Sequence, residues 1–237
     1  VPLVRKNIEN DITSIIKKIG STVKLADCVD LPASIYLQED FNLTKEQKKQ
    51  IEIIESSEDY PIVIWTKIHQ VCGGTLITNN GDVYIKNEKL NRVIELCEEN
   101  KKIIIVCRYN NELNYISKEL TKKEISHFII NGETKNKQAI IDFANNSPRI
   151  ILLINAACSE GYNLPTFNKM VFYSHDFSLK NFVQMKGRIQ RINNPQKCVY
   201  ITLCTKESVD EGIVNCLKNK LDFDASLYAK DKFYWQK

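Results

Sequence analysis

Gln184, Arg188 and Arg191 recur at i, i+4 and i+7 within Gln184-Met185-Lys186-Gly187-Arg188-Ile189-Gln190-Arg191-Ile192. On a helix this spacing puts the three polar side chains on one face. Phe182, Met185, Ile189 and Ile192 then form an apolar stripe on the other. The chain holds 33 Lys plus Arg, and the arginines are few: Arg5, Arg92, Arg108, Arg149, Arg188 and Arg191. Two of them one turn apart point to a use for the planar guanidinium fork. That fork matches phosphate oxygens two at a time, where Lys offers a point charge. Gly187 stands beside the pair, at a helical position where glycine costs about 1 kcal/mol relative to Ala. Such a glycine predicts close approach by another group. A solvated amphipathic helix is the alternative reading of the same stretch.

The elements that must position these residues are legible from Lys86 onward. A helix is expected over about 86–100, with Leu90, Val93, Ile94 and Cys97 facing inward. Ile103-Ile104-Ile105-Val106-Cys107 and Ile150-Ile151-Leu152-Leu153-Ile154 are continuous apolar runs, the mark of strands buried on both faces. Further strands are expected at about Ser126–Ile130, Met170–Tyr173 and Val199–Leu203. Helices should lie between them, through Leu113, Ile116 and Leu120, up to Phe143, and over about Ser208–Leu221. This alternation predicts a parallel sheet covered by helices on both faces. Upstream, Ile8, Ile12, Ile15, Ile16 and Ile19 have helical spacing closed by Gly20, and Val23 to Phe41 leans toward strand with a break at Leu31-Pro32. Thr44 with Gln47 resembles a capping box for a helix to about Glu55. Tyr60 to Cys72 is a further helix ended by Gly73-Gly74, and Asn79-Asn80-Gly81-Asp82 is a turn between two short strands. The expected organisation is a linker and helical segment over 1–85, a core over 86–222 and a tail over 223–237.

In open α/β folds ligands bind beyond the carboxyl ends of the strands. There stand Arg108-Tyr109-Asn110, then Asn155 through Pro165, then His175-Asp176 leading into the two-arginine stretch. Small, polar and cationic residues thus collect on one rim. The rest of the composition bounds the reading. Over 237 residues the chain is 43% apolar and 26% charged, with a net charge of +4. That balance permits nucleic acid as a partner. Eight cysteines without a C-x-x-C spacing read as buried thiols of a reducing compartment, and no metal site is expected. His69, His127 and His175 are scattered and read as structural. No run of 18 apolar residues occurs, so no membrane span is expected.

Glu160-Gly161-x-Asn163-Leu164 followed by Gln184-x-x-Gly187-Arg188-x-x-Arg191 resembles motifs V and VI of superfamily 2 helicases. The E-G-x-N-L loop is similar to that of Swi/Snf-type DNA translocases, especially compact phage and bacterial ones. Lys101 to Leu120 resembles the motif IV strand and helix. Asn131-Gly132 through Asp142-Phe143 resembles the segment before motif V. Asp30-Leu31-Pro32 to Val71 resembles the approach to the second motor domain. Asn193-Asn194-Pro195-Gln196 departs from the commoner short Gly-Gln that follows motif VI.

The resemblance implies a three-layer α/β, RecA-like domain with a mainly parallel sheet, plus an N-terminal helical and strand segment. It implies an ATP-dependent helicase or translocase in which Arg188 and Arg191 act on the γ-phosphate, assisted by Gln184. Glu160, Gly161, Asn163 and Gly187 would couple nucleotide to nucleic acid, and Arg108 and Tyr109 would contact it. ATP and Mg2+ would be held mainly by an N-terminal RecA-like domain of the same protein, because this sequence contains neither G-x-x-x-x-G-K-[ST] nor an acidic box after an apolar strand. DNA is the expected partner, RNA the alternative, and the expected location is cytoplasmic or nucleoid-associated. A non-enzymatic RecA-like module that only binds a partner is the rival of a different class.

Overall fold

The computed structural model describes residues 6–20, 32–57, 60–192, 194–220 and 223. Residues 1–32 and 33–237 form two separate compact units. In the first, α1 (Lys6–Ile19) carries Ile12, Ile15, Ile16 and Ile19 exposed. Gly20 closes it, its N–H donating to the Ile16 carbonyl at 2.8 Å.

The second unit is built on strands and helices that alternate. Its elements are β1 (Ile35–Phe41), α2 (Lys45–Ser57), α3 (Pro61–Cys72), β2 (Thr75–Thr78) and β3 (Gly81–Tyr84). They continue with α4 (Glu88–Glu99), β4 (Lys102–Cys107), α5 (Asn110–Lys122), β5 (His127–Ile130), α6 (Lys137–Asn146) and β6 (Ile150–Asn155). The last are β7 (Lys169–Phe172), α7 (Leu179–Lys186), β8 (Val199–Thr205) and α8 (Val209–Lys218). The six-stranded sheet runs β1-β8-β7-β4-β6-β5, with every pairing parallel.

The period-2 alternation of β4 divides its side chains between two apolar layers. Ile103, Ile105 and Cys107 pack with α4 and α5, while Ile104 and Val106 pack with α6 and α7. Ile103, Ile104 and Ile105 are fully buried, each contributing about 1.5–3 kcal/mol of transfer free energy. The expected three-layer α/β architecture is therefore present. The sheet also reaches N-terminal to residue 86, the expected start of the core. There β1 pairs with β8 along all seven of its residues.

Local signals hold where backbone groups have short-range partners. Thr44 N–H donates to Gln47 Oε1 at 2.9 Å and Gln47 N–H to Thr44 Oγ1 at 3.2 Å, a capping box that starts α2. Gln47 Nε2 then donates to the Val71 carbonyl at 2.7 Å and ties α2 to the end of α3. Asn79 and Asn80 turn β2 into antiparallel β3. Of the expected tail only Phe223 is described. It is buried, its N–H donating to the Phe177 carbonyl at 2.9 Å. The rest of the tail and residues 23–31 of the expected β-leaning stretch lie outside the described residues.

Candidate phosphate-facing rim

The carboxyl ends of β4 and β6 are in register, Cys107 opposite Asn155. Asn155 fastens the two loops that leave them. Its Nδ2 donates to the Arg108 carbonyl at 3.1 Å and to Asn110 Oδ1 at 2.9 Å, while its Oδ1 accepts the Ala157 N–H at 3.0 Å. A 3-10 turn, Ala156–Cys158, then delivers the chain to Ser159 and the Glu160–Leu164 loop. Gly161 has φ +87° with nothing near the position of a Cβ, so backbone conformation alone calls for glycine there.

The helix carrying the motif is shorter than its sequence spacing predicts. Ser178 caps α7, accepting the Asn181 N–H, and the helix ends at Lys186. Beyond it the carbonyls take other partners, although Lys186 O also keeps the Gln190 N–H at 3.4 Å. Lys186 O accepts the Tyr200 hydroxyl at 2.9 Å, Arg188 O accepts the Leu164 N–H at 2.9 Å, and Ile189 O accepts Asn194 Nδ2 at 3.0 Å. Gly187 is the C-cap, at φ −64° and ψ −8°. A Cβ there would meet nothing closer than 3.4 Å, so the expected close approach is absent. Met185 and Ile189 are buried as the stripe predicts, but Ile192 is 68% exposed because the backbone has left the helical path.

That departure joins the two motif stretches. Arg188 Nη1 donates to the Tyr162 carbonyl at 2.8 Å, beside the Leu164 bond to its own carbonyl. Ser159 Oγ donates to Gln184 Oε1 at 3.1 Å. Glu160 is exposed and pairs with Lys180 at 3.4 Å, which with Gln184 holds its carboxyl below the usual carboxylate range. Asn163 is exposed, and its carbonyl accepts Asn145 Nδ2 at 3.2 Å. Burial, and then the neighbouring Arg191, lower the pKa of the Arg188 guanidinium. Arg188 Nε and Arg191 Nε are both enclosed without a hydrogen-bond partner. Gln184, Arg188, Glu160 and the loop through Asn163 are thus one constellation, with Arg191 adjacent.

Arg108 and Tyr109 are engaged differently. The Arg108 guanidinium pairs with Asp176 and lies 4.0 Å from the Phe177 ring centroid. The other Asp176 oxygen accepts Asn181 Nδ2 from the first turn of α7. Tyr109 turns its hydroxyl toward α3, 3.1 Å from His69 Nδ1. Behind them is a buried charge network that sequence reasoning missed. Lys89 Nζ donates to Asp210 Oδ2 at 2.7 Å, and His69 Nε2 stands 3.4 Å from Asp210 Oδ1. Burial raises the Asp210 pKa, but Lys89 and His69 outweigh it and hold the carboxyl far below the usual range. Glu112, accepting from Ser174 Oγ and at 3.2 Å from the Tyr109 N–H, is pushed up to about 7 by burial. Lys89 and Asp210 are 121 residues apart, so no local pattern marks them.

Among the described residues no group of three His, Cys, Asp or Glu could hold a metal ion, and no helix is long and apolar enough to cross a membrane. The described cysteines are free thiols, buried except for Cys158.

Residues 86–193 match the family model described as the helicase conserved C-terminal domain. The chain is 24% identical over 245 residues to the ATP-dependent helicase FUN30 of Saccharomyces cerevisiae, covering 98% of this chain and 20% of that protein. It is 24% identical over 202 residues to the ATP-dependent helicase fft2 of Schizosaccharomyces pombe, covering 80% and 16%. The chain thus spans a fifth or less of the length of these relatives. In three dimensions it is similar to the C-terminal part of the Fun30 ATPase domain, with TM-score 0.64, 17% identity and coverage of 83% of this chain and 93% of that one. It is also similar to the Sulfolobus solfataricus SWI2/SNF2 ATPase core in complex with dsDNA, with TM-score 0.60, 20% identity and coverage of 96% and 53%. These likenesses show the fold, a RecA-like α/β domain. The relatives named here are eukaryotic and archaeal, and they lend nothing to a phage or bacterial subgroup.

Proposed function

We propose that this chain is the C-terminal half of a Swi/Snf-type, DNA-directed ATPase motor, and that Arg188 and Arg191 stabilise charge on the transferring γ-phosphoryl group. The observation that carries this reading is the junction of the two motif stretches. The Glu160–Leu164 loop and a turn bearing two guanidinium groups are fastened by Arg188 to Tyr162, Arg188 to Leu164, and Ser159 to Gln184. A displacement of one must move the other.

The donor set fits a polyphosphate. Both enclosed Nε–H groups lack an acceptor, and the guanidinium is charged at any working pH. Half-buried and oriented before the substrate arrives, such donors act on developing phosphoryl charge without reorganising. ATP, with its Mg2+, supplies the phosphoanhydride. Its α- and β-phosphates and the metal would be held by a second RecA-like lobe of the same protein. The ATP-dependent helicases among the relatives support ATP as the substrate. The dsDNA complex of the similar Sulfolobus core supports duplex DNA as the track. Arg108 and Tyr109 stand on the same rim, but Arg108 would be free to contact a phosphate only after leaving Asp176, and the Tyr109 hydroxyl is turned away toward His69.

The test is ATP hydrolysis by the protein carrying both lobes, with duplex DNA, single-stranded RNA or neither. The reading expects duplex DNA to stimulate, and Arg191→Lys to remove the stimulated rate. RNA as the sole stimulator would move the motor to the RNA-directed class. Hydrolysis by the 237-residue chain alone, lost in Arg188→Lys, would overturn the division of labour.

A further inference from the structure

The far edge of the sheet carries a surface that the motor reading does not use. In β1 the consecutive residues Ile35, Tyr36 and Leu37 are 43%, 59% and 48% exposed. Edge strands ordinarily protect themselves with charge, proline or a covering element. In β1 charge is confined to the far end, where Glu39 pairs with Arg92 and Asp40 accepts from Gln38 Nε2, which leaves Ile35–Leu37 as an apolar, open pairing template. The orientation of that edge follows from two bonds. Ile35 N–H donates to the Cys198 carbonyl, and Lys206 N–H donates to the Phe41 carbonyl. Odd-numbered residues of β1 therefore face β8, and the backbone groups of Tyr36, Gln38 and Asp40 face outward. Among the described residues no strand pairs on that side.

A groove of about 460 Å³ opens beside this edge, between β1, α7 and α8. Its walls are apolar, including Tyr36, Val183 and Leu217, and Val183 is itself 53% exposed. Its lining contains Lys186, Lys218 and Lys220 and no carboxylate. Lys186 Nζ lies 4.3 Å from the Phe182 ring centroid and 5.0 Å from that of Tyr36, a cation held between two aromatic rings. Lys218 Nζ donates to Gln38 Oε1 at 2.6 Å, which brings a second cation to the strand edge.

We infer that this groove receives an extended segment of a partner protein in which apolar and acidic residues alternate, added to β1 as a further strand. The open backbone edge selects an extended chain, the apolar walls select alternate side chains, and the lysines select carboxylates over cations. The inference stands apart from the motor reading, because neither Arg188 nor Arg191 lines the groove.

The test uses the 237-residue chain and two fluorescein-labelled, end-capped octapeptides, Glu-Leu-Glu-Val-Glu-Leu-Glu-Val and its counterpart with Lys in place of Glu, followed by fluorescence anisotropy. The Glu peptide should bind saturably and the Lys peptide about tenfold more weakly or worse. Gln38→Pro removes an outward N–H and no ladder bond, together with the side-chain amide that meets Lys218 and Asp40. It should weaken the Glu peptide by about tenfold. Gln38→Ala, which removes the amide alone, is the control and should weaken binding less. Lys218→Glu, on an exposed side chain, should erase the preference for the Glu peptide even if Gln38→Pro fails to fold. Equal binding of both peptides, absence of binding, or binding unchanged in both variants overturns the inference. Binding that appears only after removal of residues 224–237 would assign the groove to the chain's own end and overturn it. So would a mass that doubles on concentration and returns to one chain in Lys218→Glu, which would assign the groove to a second copy.

Discussion

Replacing Arg188 by Lys separates a structural role from a chemical one. The Arg188 side chain donates to the Tyr162 carbonyl at 2.8 Å, and its Cζ lies 5.7 Å from the Tyr162 ring centroid. Lysine keeps the charge but loses the planar fork that donates to this carbonyl. A hydrogen bond from a charged group contributes about 1.5–3 kcal/mol. The site is only half-buried, which brings the expected loss to about 1–1.5 kcal/mol. For a body the size of residues 33–237, each kcal/mol moves Tm by about 2–4 °C, so the fall should be about 2–6 °C. The Arg191 side chain makes no hydrogen bond among the described residues. Its Lys variant should therefore stay within about 0.5 kcal/mol of the parent. Spacing on an uninterrupted helix predicts no change for either. Thermal unfolding of the chain decides between them. An unchanged Tm in Arg188→Lys, or an equal fall in Arg191→Lys, would refute the role given to the Tyr162 bond.

Asp210→Asn leaves Lys89 charged and buried without its carboxylate, and should cost about 3–5 kcal/mol in urea denaturation. The double replacement Lys89→Met, Asp210→Leu should cost less than that single change. Glu112 titrates in the folded state at about 7, above its unfolded value. The folded state therefore holds that proton more tightly, and stability from this group is lost as pH rises from about 5 through 7. Glu112→Gln should remove that loss, read as a variant-minus-parent stability difference that grows from pH 5 to pH 8; a constant difference would refute it. Gly161→Ala should cost about 1 kcal/mol from its positive φ alone. Gly187→Ala, at an αR cap with ordinary contacts, should be neutral or stabilising by a few tenths of a kcal/mol. Equal Tm shifts in the two alanine variants would contradict the backbone argument.

The legible parts of the molecule are those governed by short-range physics. The apolar runs of β4 and β6 admit only strands buried on both faces, and Thr44 with Gln47 form their capping box within one turn. β1 was harder to place in the sheet, because Gln38, Glu39 and Asp40 give an edge strand the composition of a loop. The end of α7 was hidden for a different reason. The apolar period through Met185 and Ile189 runs unbroken, and the partners that meet the chain after Lys186, Leu164 at the Arg188 carbonyl and Tyr200 at that of Lys186, come from distant sequence. The candidate site was legible as residue types on one rim. Its wiring was not, since Arg108 with Asp176 and Lys89 with Asp210 are partners only after the sheet has formed.

We propose that the turn after α7 places guanidinium charge on a transferring phosphoryl group. Arg191→Lys tests it most directly, because that side chain is free of the loop bond that complicates Arg188. The measurement is duplex-stimulated ATP hydrolysis by the two-lobed protein, taken beside Tm. An unchanged Tm and a stimulated rate lowered by up to about 10³–10⁵ are the expected outcome. A stimulated rate near that of the parent, at the same Tm, would contradict it.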